Sequence, residues 1–306
     1  MAKSDTKTSV RLTDRDLELF QKLNAAGWLT TGQILRNFFS GKTSNAVSKR
    51  LRKLASEKYV AMTRVSSTEE GLYRLAGKGK LALAEYSELS EQDVTIPTQI
   101  PRKFKHFAAI NDLRFRFEEI GRSGRAKVLF FFSERELALY YQRSGSASPD
   151  ILFLLDHHGI KPDALCKLRV LQGEPHREMY LAIEYDAGTE QSAFFGRTKV
   201  KHYGALVRAS QGRIGELKVL TFTDTIKRLV SLMRQTVRYR PPRHCFYFAP
   251  IDGLQQEQWE ETDLFLDPDD FFVAQKTASG IEVCERELSG RPQKYPLLAL
   301  PTTSPG

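Results

Sequence analysis

Cysteine is scarce in this chain: 306 residues carry only Cys166, Cys245 and Cys284. The three are far apart, odd in number and unaccompanied by paired Cys or His at metal-ligand spacing. That speaks against a disulfide framework and against a zinc finger, and the thiols read as reduced groups of a cytosolic protein. Long hydrophobic runs are missing too. No stretch approaches the roughly 18 apolar residues of a membrane span, and Met1-Ala2-Lys3-Ser4-Asp5 has no signal-peptide core. No membrane partner is expected, and the expected location is cytoplasmic. Acidic charge is in deficit, with 37 Asp and Glu against 46 Lys and Arg, so the net charge is +9 and the pI about 9.4. Such a balance favours a polyanion. With membranes set aside, double-stranded DNA is the expected partner; a basic surface kept only for solubility is the plainer alternative. Composition is otherwise globular, 41% hydrophobic and 27% charged, and the length suits two domains.

The first domain is expected over residues 1–90. Thr13 is a good N-cap, with Asp16 three residues on, for a helix ending at Ala26, where Gly27 stops it. A short second helix, capped by Thr30 or Thr31, carries Ile34, Leu35, Phe38 and Phe39. A third runs from Ser44 to about Glu57, with Val47, Leu51 and Leu54 facing inward. On its opposite face Asn45, Ser48, Lys49, Arg52 and Lys53 point outward, flanked by Lys42 and Lys58. Two β-prone stretches, Tyr59–Arg64 and Gly71–Leu75, follow across a polar turn. Helix–helix–helix–hairpin is the order of a winged helix-turn-helix. Its third helix would enter the major groove, with Asn45, Ser48, Lys49 and Arg52 near base edges and Lys42, Lys53 and Lys58 near phosphates. A plain scaffold with a solvated basic face, or a wing that docks a partner protein, are the other readings.

Residues 91–105, polar and containing Pro97 and Pro101, read as a linker. The second domain, 106–250, opens with a helix from His106 to Ile120. A group of strands follows: Val128–Phe132, then the apolar run 151–155, then a hairpin of 162–170 with 179–186. Next come a helix over 191–208, a strand 216–222, a helix 224–238 and a strand 245–249. The fold class expected is α+β, a mixed sheet flanked by helices beside the winged helix-turn-helix. The remaining 251–306 is an acidic segment and a tail: Ile251–Gln275 holds eight Asp and Glu and no Lys or Arg. It reads as a solvated connection, or as a cover for the basic DNA surface.

The chemistry concentrates at Glu184-Tyr185-Asp186, which closes the apolar run Met179–Ile183. Residues two apart on a strand share a face, so both carboxylates leave the sheet together. Asp163, in Lys161-Pro162-Asp163-Ala164-Leu165, supplies a third, and Lys199 sits in the following helix. Three carboxylates and a lysine are what a Mg²⁺-dependent phosphodiester-cleaving site uses. The metal ligands would be Asp163, Glu184 and Asp186, with Lys199 assisting the attacking water. Ordinary solvated strand ends are the plainer reading. Against it, the apolar run reads as an interior strand, where clustered carboxylates raise one another's pKa unless a cation joins them. Gly41-Lys42-Thr43 is no phosphate loop, because the motif's first glycine would fall at Arg36. His157-His158 reads as a solvated loop pair.

Pro162-Asp163 on one strand and Glu184 on the next resemble the restriction-endonuclease-like, PD-(D/E)xK, nuclease fold. Asp186 stands where that pattern has its lysine, so the lysine has either moved to Lys199 (Lys201 being the next candidate) or been lost. The chain as a whole resembles the replication-relaxation family of plasmid and mobile-element proteins. The resemblance rests on Leu12-Thr13, His106 with Asn111-Asp112, Pro162-Asp163-Ala164-Leu165, Glu184 to Glu190, and Lys199 with Tyr203. It implies a DNA-binding protein acting in replication, mobilisation or transfer, or in transcriptional control, with relaxase or replication proteins as further partners. A homodimer fits the habit of winged helices of reading paired half-sites, though no residue specifies it. Two functions stay open: a DNA-binding factor with a non-cleaving second domain, and a Mg²⁺-dependent endonuclease.

Overall fold

The computed structural model describes residues 10–65, 70–122, 124–142, 148–156, 161–171, 176–255, 264–277, 280–285 and 294–301. The expected polar turn at 66–69, His157-His158 and the acidic residues Glu257, Glu260, Glu261 and Asp263 lie outside them. The chain divides into two compact units, Met1–Asp112 and Leu113–Gly306.

In the first unit, α1 spans Asp14–Ala26. Thr13 Oγ1 accepts from the Asp16 N–H while Asp16 accepts from the Thr13 N–H, so two orphan donors of the helix start are satisfied reciprocally. Gly27, at φ 82°, ends the helix by donating to Leu23 O, a backbone angle that favours glycine. Strand β1 (Leu29–Thr30) leads into α2 (Thr31–Phe38), where Thr30 and Gln33 form a second capping box. Thr43 caps α3 (Ser44–Ser56). The hairpin β2 (Val60–Arg64) and β3 (Gly71–Leu75) then pairs antiparallel from Val60↔Leu75 to Arg64↔Gly71, and β1 adds to β3. Helix α4 is Gly77–Tyr86. The core is Leu19, Phe20, Leu23, Ile34, Val47, Leu51, Leu54, Leu72 and Leu75, all essentially inaccessible, each contributing about 1.5–3 kcal/mol by burial.

Helix α3 is also tied to α1 by charge. Arg50 Nε donates to Asp16 Oδ1 at 3.0 Å, and its Nη2 donates to Asp16 Oδ2 and, at 2.9 Å, to Arg11 O. Burial pushes the Asp16 carboxyl up, but bonds from Arg50 and Thr13 outweigh it and hold the group below its usual range. Residues 91–105 lie against this same unit: Val94 is buried, Thr95 N donates to Asn24 Oδ1, and Trp28 Nε1 donates to Gln99 O. Helix α5 (Phe104–Arg122) crosses the division between the units.

The second unit is built on a seven-stranded mixed sheet. Its strands are β4 (Ala126–Ser133), β5 (Ala164–Val170), β6 (Arg177–Asp186), β7 (Glu216–Thr223), β8 (Phe246–Pro250), β9 (Phe265–Leu266) and β12 (Lys294–Tyr295). The order is β12-β9-β8-β7-β6-β5-β4. Strands β6, β7 and β8 run parallel and the rest pair antiparallel. Strands β10 (Phe272–Thr277) and β11 (Gly280–Glu285) form a separate hairpin, preceded by α11 (Pro268–Phe271). One face of the sheet, with Leu165, Tyr180, Ala182, Leu217, Val219, Phe246 and Phe248, shares a core with Phe195, Tyr203, Leu206, Leu229, Leu232 and Met233. These come from α8 (Ser192–Phe195), α9 (Lys201–Ser210) and α10 (Ile226–Arg238). The unit is α+β.

Three expectations change. Two helices, α6 (Glu134–Gln142) and α7 (Pro149–Asp156), stand between β4 and β5, so the run 151–155 is helical rather than one of a group of strands. A short apolar run fits either state; Pro149 in the first turn is the local helix signal. The acidic segment is not simply a solvated connection, since Asp267 is buried, caps α11 and pairs with His244 at 2.8 Å. The residues expected as a tail close the sheet instead: Leu297 and Leu300 are buried, and Arg177 and Lys218 donate to carbonyls of Leu300 and Pro301. Among the described residues no helix is long and apolar enough to cross a membrane.

Candidate functional site

The outward face of α3 is made by its own periodicity. Val47, Leu51 and Leu54 go to the core, which leaves Asn45, Lys49, Arg52 and Lys53 exposed and Ser48 half-buried. Arg52 Nε donates back to Ser48 O at 3.2 Å, which lays that side chain along the helix. Lys42 and Lys58 are exposed at the two ends. Arg50, on the same helix, is the exception: it turns inward to Asp16 and is not part of the face.

In the second unit, sheet register brings two carboxylates together. Ala164 pairs with Ile183, so the next residues along, Asp163 and Glu184, fall opposite each other at the end of β5 and β6. Asp163 is fixed from two sides: its Oδ2 accepts from Tyr185 N of β6 at 2.8 Å, and its carbonyl accepts from Glu134 N, the first residue of α6, at 2.9 Å. Between α8 and α9 the chain makes one π turn, Gly196–Val200, that carries Lys199; such turns recur at functional sites. Lys199 Nζ donates to Glu184 Oε2 and Tyr203 Oη to Glu184 Oε1, both at 2.5 Å. Four residues apart on one helical face, the two donors clamp the two oxygens of a single carboxylate.

The electrostatics are those of a buried charge cluster. Glu184 is only 3% exposed and sits beside an apolar hollow lined by Leu154, Pro162, Leu165, Ala182, Leu206 and Leu217 with Tyr203. Burial, and then the negative charge of Asp163, push its carboxyl up to about 8 against the pull of Lys199 and Tyr203. Burial lowers Lys199, but Glu184 and Asp163 more than compensate, and the ammonium is held above its usual range. The first shift favours a neutral Glu184 and the second an ion pair. The 2.5 Å contact to an ammonium argues for the ion pair. The Tyr203 hydroxyl is pushed far up by burial and by Glu184.

Asp163, Glu184 and Lys199 are thus brought together, whereas Asp186 looks elsewhere. Its two oxygens take Arg228 Nε and Nη2 at 2.8 and 2.7 Å, and Oδ1 also accepts from Gly188 N. Among the described residues no group of three or more His, Cys, Asp or Glu is assembled for a metal. Arg228 and the role of Tyr203 were not assigned from the sequence. Tyr203 carried a signal, its four-residue spacing from Lys199; Arg228 carried none, because it lies 42 residues from its partner.

No curated protein and no solved structure matches this chain. A family model does, described as replication-relaxation, over residues 20–220 of 306. That span takes in α3 and Asp163, Glu184, Lys199 and Tyr203, and the chain belongs to the replication-relaxation family.

Proposed function

We propose that this protein binds double-stranded DNA through α3, the recognition helix of a winged helix-turn-helix, in replication, mobilisation or transfer, or transcriptional control of a plasmid or mobile element. Family membership supports the replication setting. The observation that carries the DNA partner is the face of α3: six of its seven assigned residues are exposed, four of them lysine or arginine in addition to Lys42, and no acidic residue is among them. The three-stranded sheet β1-β3-β2 behind it supports a wing. Replacing Lys49 and Arg52 with alanine is expected to weaken duplex binding and to lower the slope of log affinity against log salt by about 2, roughly 0.9 for each cation withdrawn from the groove, where it displaces a condensed counterion. Anisotropy titrations over a salt series measure this, and an unchanged slope would move the interface off α3.

A second reading is favoured by the meeting of Asp163, Glu184 and Lys199: a Mg²⁺-dependent DNA endonuclease. Two hard carboxylates suit Mg²⁺, which takes one or two from the protein and fills its shell with water and phosphate oxygens. Asp163 and Glu184 would hold it, and Asp186, engaged by Arg228, would add a ligand only by giving up that pair. A bound Mg²⁺ supplies charge neutralisation at the phosphodiester. The chain's own part is to orient Glu184 through Tyr203 and to hold a positive charge at Lys199. Supercoiled DNA incubated with Mg²⁺ or Mn²⁺ is expected to be nicked by the wild type and not by Glu184→Ala or Lys199→Ala. Nicking that survives both substitutions removes this site from the reaction; a wild type that binds without nicking leaves the first reading alone.

A further inference from the structure

Residues 191–215 and 226–244, which hold α8 to α10, contain eleven Lys and Arg and not one Asp or Glu, in a chain with 37 acidic residues. Lys199 pairs with Glu184 and Arg228 with Asp186, Arg208 and Arg240 donate to backbone carbonyls, and Arg213 and Arg234 lie over the Phe153 and Phe272 rings. Others form exposed rows. Arg197, in the π turn, and Lys201, at the start of α9, are four apart and both exposed; Lys227 and Arg238, eleven apart, stand three turns from each other on one line of α10. The two helices lie side by side. A Cβ on Gly196 would come within 2.6 Å of the Tyr239 ring, and Arg208 donates to Arg240 O at 3.0 Å. Beside the first row the Phe194 ring is 42% exposed, with the Arg197 guanidinium 5.9 Å from its centroid.

We propose that this face is a second nucleic-acid surface, separate from α3, and that it takes single-stranded DNA. A polyanion is required by the one-signed charge. A single strand is preferred over a duplex because an exposed ring among cations is a stacking platform, which only an unpaired base can use. Phosphates follow Arg197 and Lys201 while a base stacks on Phe194. The surface goes beyond the α3 reading and does not depend on it.

The test is anisotropy with the full chain, a labelled oligothymidylate and a labelled duplex, with circular dichroism confirming that each variant is folded. Phe194→Ala is expected to weaken oligothymidylate binding about tenfold and leave the duplex unaffected. Arg197→Ala with Lys201→Ala lowers the single-strand salt slope by about 1.4, roughly 0.7 per phosphate. Lys49→Ala with Arg52→Ala shows the reverse selectivity, so failure of the α3 reading appears in a different column of the data. The proposal is overturned if the wild type does not bind oligothymidylate, if neither unit-two variant changes that binding, or if the same variants instead abolish binding to phosphatidylserine vesicles.

Discussion

Replacing Lys199 with methionine is expected to cost about 3 kcal/mol of stability near pH 9 and much less near pH 6. The variant keeps the two influences that raise Glu184, burial and Asp163, and loses the cation that opposes them. A carboxyl whose folded pKa lies above its unfolded value of about 4.3 contributes stability that is fully present below that value. As the pH rises, the unfolded chain releases the proton while the folded one retains it, and stability falls by up to about 1.4 kcal/mol per pH unit until the folded group ionises. In the wild type the Lys199 ammonium opposes that rise; without it the folded carboxyl keeps its proton to higher pH and the decline runs further. Urea denaturation at several pH values measures it, and adding Glu184→Gln should flatten the dependence by leaving no charge to bury. A loss equal at all pH values, or one that Glu184→Gln does not repair, would mean that the lysine stem, not its charge, holds the helix to the sheet.

Arg50→Ala is the second large effect. Asp16 is 1% exposed and Arg50 is the cation on both of its oxygens, so removing it leaves a buried carboxylate and costs about 3–5 kcal/mol. In the wild type Asp16 sits below its usual range, so its contribution is present above about pH 4 and lost as the pH falls through the depressed value. In the variant burial dominates and the sign reverses: stability should improve on mild acidification. Amide exchange in α1 and α3 reads the change. The contrast with Arg52 is informative, because the two side chains are two residues apart on α3 yet one points to Asp16 and the other to solvent. Arg52→Ala should change the salt slope of duplex binding and hardly touch stability. Arg50→Ala should do the opposite once the folded fraction is accounted for; a changed slope would place Arg50 on the DNA.

Local features were legible in the residues. The Thr13–Asp16 box, the stop at Gly27, the inward Val47, Leu51 and Leu54 and the outward Lys49 and Arg52 follow from capping chemistry and a 3.6-residue period. The hairpin partners β2 and β3 were visible as well. Strand β1 was not, since two residues make no pattern, and it exists because β3 offers it an edge. The helical state of 151–155 was hidden for a related reason: five apolar residues in a row have no period to read.

By itself the sequence determined the class of the protein: a basic α+β chain with a charged third helix and with carboxylates placed at strand ends, because composition, caps and periodicity act over a few residues. Tertiary structure alone decided which charges meet. Asp163 faces Glu184 through the β5–β6 register, Lys199 and Tyr203 close on that carboxylate from a π turn, and Asp186 is taken by Arg228 from a third element. Those pairings span 15 to 42 residues, and at that separation the partner of a charge is set by how helices pack on a sheet, which no local pattern encodes.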